Sequence, residues 1–426
     1  MIALLLFFLM GFLIFFGLPV AFGIGTSGVV GILLNPTLGL DLLPERMHTF
    51  ADSFVFIAIP LFILAGSIME KSGITPRLMA LAMALVGHIR GGLAMVTVVA
   101  EMLFSGISGS TTADVSAMCS MVMPALNRAK YPPQYSIAVI SAASAMGILI
   151  PPCIQMIVLG GLVNISVTGL FAGGVIPSIF LAGMIMLLIY IDARRFGFPA
   201  EERCIAKKFV TIFVDSIIPL GMPVIIFGGI FGGVFTPTEA GAVTVLYAIA
   251  ADVFLYKLLR WKDYIDILIE SAAITGTVMF IVMAASILSY LLSYMKVPEQ
   301  FSDLLIHLGV GPTVFLLLST FVFLVASLIV EPIPAMVIFV PVLFPIAGKL
   351  GVDPIHFGIV MIAAQGIGMF VPPIGIGLIL ACSIGKVEMG TVSRTIFPFL
   401  LTLIVGLIFL VLVPEITTFL PHLLLR

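Results

Sequence analysis

The sequence predicts an all-α polytopic membrane protein made of two inverted-topology repeats, each of about five spans plus one re-entrant hairpin with discontinuous helices. Three observations predict it. Of 426 residues, 61% are hydrophobic and 9% charged, with a mean hydropathy of +1.30, whereas a soluble domain carries about a quarter charged residues. Apolar runs recur along the chain at about the 20 residues a helix needs to cross a bilayer. A gapless offset of 221 residues lays Pro124–Pro177 on Pro345–Pro398, and all five prolines of the second segment (Pro345, Pro354, Pro372, Pro373 and Pro398) fall on Pro124, Pro133, Pro151, Pro152 and Pro177.

The first run, Ile2–Phe16, has no basic flank and no clear cleavage site, so it reads as a retained span rather than a signal peptide. Leu18–Leu34 and Ser53–Met69 follow as spans, and Thr75–Gly87 as an amphipathic arm. Gly91–Leu126 is too long for one straight span and is polar at its centre; two helical arms meeting at a tip, a re-entrant hairpin at 91–126, explain it. Such backbone survives at membrane depth only when buried in protein or lining a watery cavity. A helix over 135–163, broken at Pro151-Pro152, and the span Thr168–Ile191 complete an N-terminal repeat of residues 1–191. A linker, 192–215, leads to a C-terminal repeat, 216–426. Its spans are Ser216–Phe235, Ala240–Tyr256 and Ile267–Leu292, followed by the arm Val297–Leu308, a hairpin over 312–347, a helix over 357–384 broken at Pro372-Pro373, and the span Thr395–Val413. Five crossings per half is odd, so the second half inserts upside down.

Short basic loops set orientation. Arg194, Arg195, Arg203, Lys207 and Lys208 place the central connection in the cytoplasm, with Lys257, Arg260 and Lys262 in the next basic turn. Arg77, Arg90, Arg128, Lys130, Lys386 and Arg394 then fall on the same side, and Asn35–Thr49, Lys296–Asp303 and both termini on the other. The formal net charge of −2 excludes a basic nucleic-acid binder. Cys119, Cys153, Cys204 and Cys382 lack paired spacing, the five histidines are scattered, and no Walker loop, dinucleotide fingerprint or zinc-helix motif occurs.

The candidate chemistry lies at the breaks. The first tip, Phe104–Asp114, packs Ser105, Ser108, Ser110, Thr111, Thr112 and two glycines into an apolar segment. Hydroxyls and exposed carbonyls suit a hard cation such as Na⁺, and the amides opening the arm near Thr112 suit an anion; serine and glycine also serve as packing contacts between membrane helices. Carbonyls freed at the Pro-Pro breaks would complete one cation site per half. The first set is Ser105, Ser108, Gly109, Ser110, Thr111, Gly147 and Ile150; the second is Glu331, Pro332, Gly366, Gly368 and Val371. Glu331, a carboxylate in an apolar stretch, would bind Na⁺, carry a proton or orient the loop. Glu101 and Asp114 are weaker candidates of the same kind, and Glu239 reads as a helix cap. Ser110, Thr111, Thr112, Pro151, Pro152, Gln155, Pro372 and Pro373 are the expected substrate contacts, with Gln365 lining the same cavity as Gln155. Inverted repeats with broken helices mark secondary transporters, whose sites sit at the midplane.

Phe104–Asp114 with Met123–Leu126, Ile150-Pro151-Pro152, Phe235–Ala240, Glu331–Ala335 and Phe370–Gly375 resemble, over nearly the full length, the large membrane subunit of the TRAP transporters (tripartite ATP-independent periplasmic transporters, DctM-like). The resemblance implies an elevator-type, Na⁺-driven importer of a small organic acid, a C4-dicarboxylate, sialic acid or similar carboxylate, in the bacterial or archaeal cytoplasmic (inner) membrane. It implies a small four-helix membrane subunit and a periplasmic substrate-binding protein as partners, Na⁺ as coupling ion, and no other cofactor or enzymatic activity. The rival readings are a one-component Na⁺/dicarboxylate carrier, the permease of an ATP-driven importer, and an intramembrane enzyme, for which no nucleophile–base pair is present. The hairpins and Pro-Pro helices are expected to move as a core against a scaffold of the remaining spans.

Overall fold

The computed structural model describes residues 2–201 and 204–425, so Arg203 of the central connection lies outside the described residues. The described chain is helical throughout. In the first half, α1 (Ile2–Phe15), α2 (Val20–Leu33), α3 (Leu42–Ala51) and α4 (Ala58–Lys71) are followed by α5 (Thr75–Val86). Then come α6 (Gly92–Ser108), α7 (Thr111–Arg128), α8 (Pro133–Gly147), α9 (Ile154–Val163) and α10 (Val167–Phe196). The second half holds α11 (Ala206–Phe231), α12 (Pro237–Ala250), α13 (Trp261–Tyr294) and α14 (Val297–His307). It ends with α15 (Pro312–Ile329), α16 (Pro332–Lys349), α17 (Pro354–Gly368), α18 (Ile376–Gly385), α19 (Met389–Leu412) and α20 (Glu415–Leu424). Eight helical segments among the described residues are long and apolar enough to cross a membrane.

The 221-residue offset holds in the helix boundaries. Thr111 and Pro332 open α7 and α16, and Arg128 and Lys349 close them. Pro133 and Pro354 open α8 and α17, and Gly147 and Gly368 close them. The prolines explain this register: each sits at the first helical position, where its missing amide costs nothing. Both expected hairpins and both expected broken helices are present, and both Pro-Pro bonds are cis.

Where the halves differ, the sequence reading needs correction. α1 and α2, expected as spans, have 14 residues each, about 21 Å at 1.5 Å per residue, short of a hydrocarbon core of about 30 Å. The run Ser53–Met69 begins with a single tight turn, Phe54–Ile57, before α4. α13 has 34 residues and overruns its apolar stretch at the N-terminal end. The expected linker also narrows, because α10 runs to Phe196 and α11 starts at Ala206. Glu239 caps α12 as expected: its Oε2 accepts from the Thr236 amide and hydroxyl, both at 2.8 Å.

Packing divides the helices into two groups. α2 lies along α13 and α12 along α4, the same pair seen from either half, with α1, α3 and α11 beside them. In the other group α6 packs on α8 and α15 on α17, while α7 meets α18 and α16 meets α9, so each hairpin lies against the broken helix of the opposite half. α10 and α19 pack on each other and on α17 and α8. They therefore belong with the hairpins and not, as expected, with the scaffold spans. Their length lets them wrap the short arms of the broken helices, which cannot cover their own free ends. α5 and α14 lead from the first group into the hairpins, as the amphipathic pattern predicts.

Candidate functional site

The two hairpin tips face a common cavity of about 340 Å³. Ser108–Ala113 of the first tip, Ile154 and Gln155 at the start of α9, Glu331–Pro334 of the second tip and Met369 form its core-group wall. Ile63, Gly66, Ser67 and Glu70 of α4 and Glu270, Ile274, Thr277, Val278 and Ile281 of α13 close the opposite side. The cavity thus lies between the two helix groups, with a tip from each half reaching into it.

The first tip turns because Gly109 has φ +64°, a conformation open to glycine at no steric cost. Gly106 and Gly109 also let the hairpin press on the first Pro-Pro break. A Cβ at Gly106 would stand 3.3 Å from the Pro151 carbonyl, and one at Gly109 3.2 Å from that of Pro152. Ser105 Oγ donates to the Gly147 carbonyl at 2.8 Å, and Ser108 Oγ donates to Asp114 Oδ1. Of the first expected cation set, Ser105, Gly109 and Gly147 therefore meet around the break that contains Ile150, while Ser108, Gly109, Ser110 and Thr111 face the cavity. Ser110 Oγ lies 3.3 Å from Thr112 Oγ1.

The second set is less compact. Gln365 Nε2 donates to the Pro332 carbonyl at 2.9 Å, which ties the tip to α17. Gln365 is fully buried and does not line the cavity, contrary to expectation, because its amide is spent on that carbonyl. Gly368 packs on Leu324 and Ser327 of α15, but Gly366 packs on Ala145 of α8, in the other half. Glu331 is exposed rather than deeply buried. Pro334, at the third helical position, removes one of the two amides a capping side chain folds back to; the Glu331 carboxylate makes no cap hydrogen bond and faces the cavity. Val371 and the expected substrate contacts Pro151, Pro152, Pro372 and Pro373 do not line the cavity. Pro151 and Pro152 are buried behind the tip, where α4 and the Phe54–Ile57 turn cover α9. Pro373 and Ile374 are exposed elsewhere.

Electrostatically the cavity is divided. α7 and α9 both start at its wall, and their first amides, at Thr111–Ala113 and Ile154–Gln155, have no acceptor within their own helix. That gives a positive end suited to an anion. Glu70, Glu270 and Glu331 supply the negative side, and Lys71 Nζ pairs with Glu270 at 2.8 Å. The residues missed by sequence reasoning are Ser67, Glu70, Glu270 and Thr277. Glu70-Lys71 closes an apolar run and Glu270 lies one turn into another, which reads as a span boundary until the two helices are placed side by side.

A family model described as "Tripartite ATP-independent periplasmic transporter, DctM component" matches residues 5–416. The chain belongs to the DctM family. As a member it is an integral inner-membrane protein, and its relatives are transporter permeases rather than enzymes. The chain is similar to the C4-dicarboxylate TRAP transporter large permease protein DctM of Rhodobacter capsulatus, 34% identical over all of both chains. It is also similar to the sialic acid TRAP transporter large permease protein SiaM of Vibrio cholerae, 32% identical over 97% of each chain. Among solved structures, the YdaH transporter of Alcanivorax borkumensis shares the fold, with a TM-score of 0.67 at 15% identity over 96% of this chain and 97% of that one.

Proposed function

We propose that this DctM-family chain is the large permease subunit of a Na⁺-driven importer of a small organic acid, delivered by a periplasmic binding protein and assembled with a small membrane subunit. The observation that carries the reading is the single cavity at which both hairpin tips meet the starts of α7 and α9. Its volume, about 340 Å³, falls in the range of small-ligand pockets. A carboxylate of the substrate rests on the amides of Thr111–Ala113 and the hydroxyls of Ser110 and Thr112. Na⁺ sits at the first tip among Ser105, Ser108 and the carbonyls of the Gly147–Pro152 break, and a second cation sits at Glu331 and Pro332. Positive charge is required there, because an organic anion beside Glu70, Glu270 and Glu331 is otherwise repelled. Sialic acid and C4-dicarboxylates, named for the relatives, are the substrate classes to test first.

The halves, residues 1–191 and 216–426, insert in opposite orientation, with the central connection cytoplasmic. Transport moves the hairpins, broken helices, α10 and α19 as an elevator against α1–α4 and α11–α13, because the interlocked breaks satisfy one another's polar groups and separating them strands carbonyls in hydrocarbon. The test is uptake of labelled succinate or sialic acid into proteoliposomes holding this chain with its small subunit, with and without the binding protein. Uptake that requires both Na⁺ and the binding protein supports the reading. Na⁺-dependent uptake without the binding protein favours a one-component carrier.

A further inference from the structure

Where α8, α10 and α19 meet at their basic ends there is a second cavity, of about 840 Å³, which shares no lining residue with the one at the hairpin tips. Lys130 reaches it from the turn after α7, Tyr135 from the first turn of α8, Asp192 and Arg195 from the last turns of α10, and Thr395 and Pro398 from α19. Its wall is firm, because the rings of Tyr131 and Tyr135 pack on Phe198 with centroids 4.4 Å and 4.9 Å away. In the second half the equivalent place is filled. The residues related to Tyr135 and to Arg394-Thr395 by the 221-residue offset are His356 on α17 and Gly173-Gly174 on α10, and α20 lies across exactly those two helices. His356 Nδ1 is 2.7 Å from Thr417 Oγ1 of α20, and a Cβ at Gly173 would stand 3.0 Å from the Thr417 carbonyl oxygen. Residues 194–201, the counterpart of 415–422, form no such plug. The chain leaves α10 at Gly197, φ +71°, and runs to the turn between α5 and α6. There the Pro199 carbonyl accepts from the Gly91 amide at 3.3 Å, and the Glu201 amide donates to the Gly87 carbonyl at 3.1 Å.

The open place is also charged where its counterpart is not. Lys130 and Arg195 correspond to Gly351 and Ile416, so both cations belong to the opening and not to the repeat. Neither joins an ion pair among the described residues. The carboxylate in the lining, Asp192, takes the Tyr135 hydroxyl on its Oδ2 at 3.4 Å. Away from the basic end, Arg195 is followed on the same face of α10 by Ile191 and Leu187, and Pro398 on the same face of α19 by Leu401 and Val405. All four of these apolar side chains are exposed. The two helices run in opposite directions, so both stripes lead from the cations toward the membrane interior. Cations at the interface with exposed apolar stripes beneath them match the lengthwise order of a phospholipid, and basic pockets between membrane helices hold anionic headgroups. We propose that this cavity binds an anionic phospholipid, its phosphate between Lys130 and Arg195 and its acyl chains along the α10 and α19 stripes. The lipid takes the place that α20 takes in the other half.

The test is native mass spectrometry of the delipidated full chain titrated with dioleoylphosphatidylglycerol, with dioleoylphosphatidylcholine and inorganic phosphate as comparison probes. The first phosphatidylglycerol should bind about tenfold or more tighter than phosphatidylcholine, and Lys130→Gln/Arg195→Gln should weaken it about 30-fold, the attraction two basic residues supply at a membrane surface. Lys207→Gln/Lys208→Gln removes the same charge from the start of α11, outside the cavity, and should change little. Thr395→Trp keeps every charge but fills the cavity, and should weaken binding as well; it decides the matter if the charge variant does not fold. Equal affinity for the two lipids would overturn the proposal. So would an equal loss in the α11 variant, which would reduce the effect to diffuse attraction between a basic face and an anionic membrane. Full affinity in Thr395→Trp would place the lipid elsewhere, and displacement of phosphatidylglycerol by inorganic phosphate would make the cavity a site for a soluble anion; either result overturns it.

Discussion

Replacing Gly66 with alanine tests whether the tip must slide past the scaffold. Gly66 lies on α4, and a Cβ there would stand 2.7 Å from the Ile107 carbonyl oxygen and 3.2 Å from Ser108 Cα. Both are backbone atoms of the first hairpin, so no side chain can rotate out of the way. The tip must back off by about half an ångström, and overpacking of this kind costs about 1–3 kcal/mol. That cost falls on the arrangement seen here, in which tip and α4 touch. Its population against any arrangement that parts them should drop about 5- to 150-fold. The readout is labelling of Thr112→Cys by an impermeant thiol reagent, in a chain freed of its four native cysteines, with and without Gly66→Ala, alongside uptake in proteoliposomes. Gly228→Ala is the control, since a Cβ there meets nothing within 4 Å and alanine is the better helix former. A change in labelling rate and uptake for Gly66→Ala, with thermal stability near that of the control, is expected. Labelling and uptake both equal to the control would refute the argument, because the tip and α4 would then part without resistance.

Ser108→Ala with Ser110→Ala should raise the Na⁺ concentration needed for half-maximal uptake in a chain that still elutes as folded protein; an unchanged Na⁺ dependence removes these hydroxyls from the cation site. Gln365→Leu should cost about 1–3 kcal/mol, because it leaves the Pro332 carbonyl without its donor, and a thermal melt matching the unmodified chain would show that the bond holds nothing. Single cysteines at Thr37 and Lys207 should label from opposite faces of the membrane, and labelling from one face would overturn the inverted insertion. A flexible cross-link between Thr112→Cys and Ile333→Cys, which line one cavity, should permit transport, while one joining Thr112→Cys to Thr277→Cys on α13 should stop it; the reverse result would assign the motion to a gate between the tips.

The repeat was legible because proline is informative in both sequence and backbone: Pro133 and Pro354 stand out by their register, and each opens a helix. Both hairpins were legible as over-long apolar runs with polar or proline centres. Side-chain direction was less so. Gln155 and Gln365 look alike in sequence, yet one lines the cavity and the other is consumed by the Pro332 carbonyl, a contact 33 residues away. Glu331 lies in an apolar stretch of the sequence, but a hairpin tip brings the middle of that run to a cavity wall. The scaffold side, Glu70 and Glu270, was invisible because it arises from two helices some 200 residues apart. Grouping α10 and α19 with the hairpins required packing, since smooth apolar spans carry no mark of what they lie against.

The shortness of α2 concerns the lipid as much as the protein. Its 14 residues leave it about 9 Å short of an average hydrocarbon core, and Phe22 and Leu33 near its two ends are both exposed. Acyl chains that reach both residues would have to compress, which would thin the bilayer beside α2. Such thinning costs a fraction of a kcal/mol per ångström, borne by lipid that any rearrangement nearby must carry along or release. Transport should therefore respond to membrane thickness at this place on the perimeter, and lipids with shorter tails should gather there.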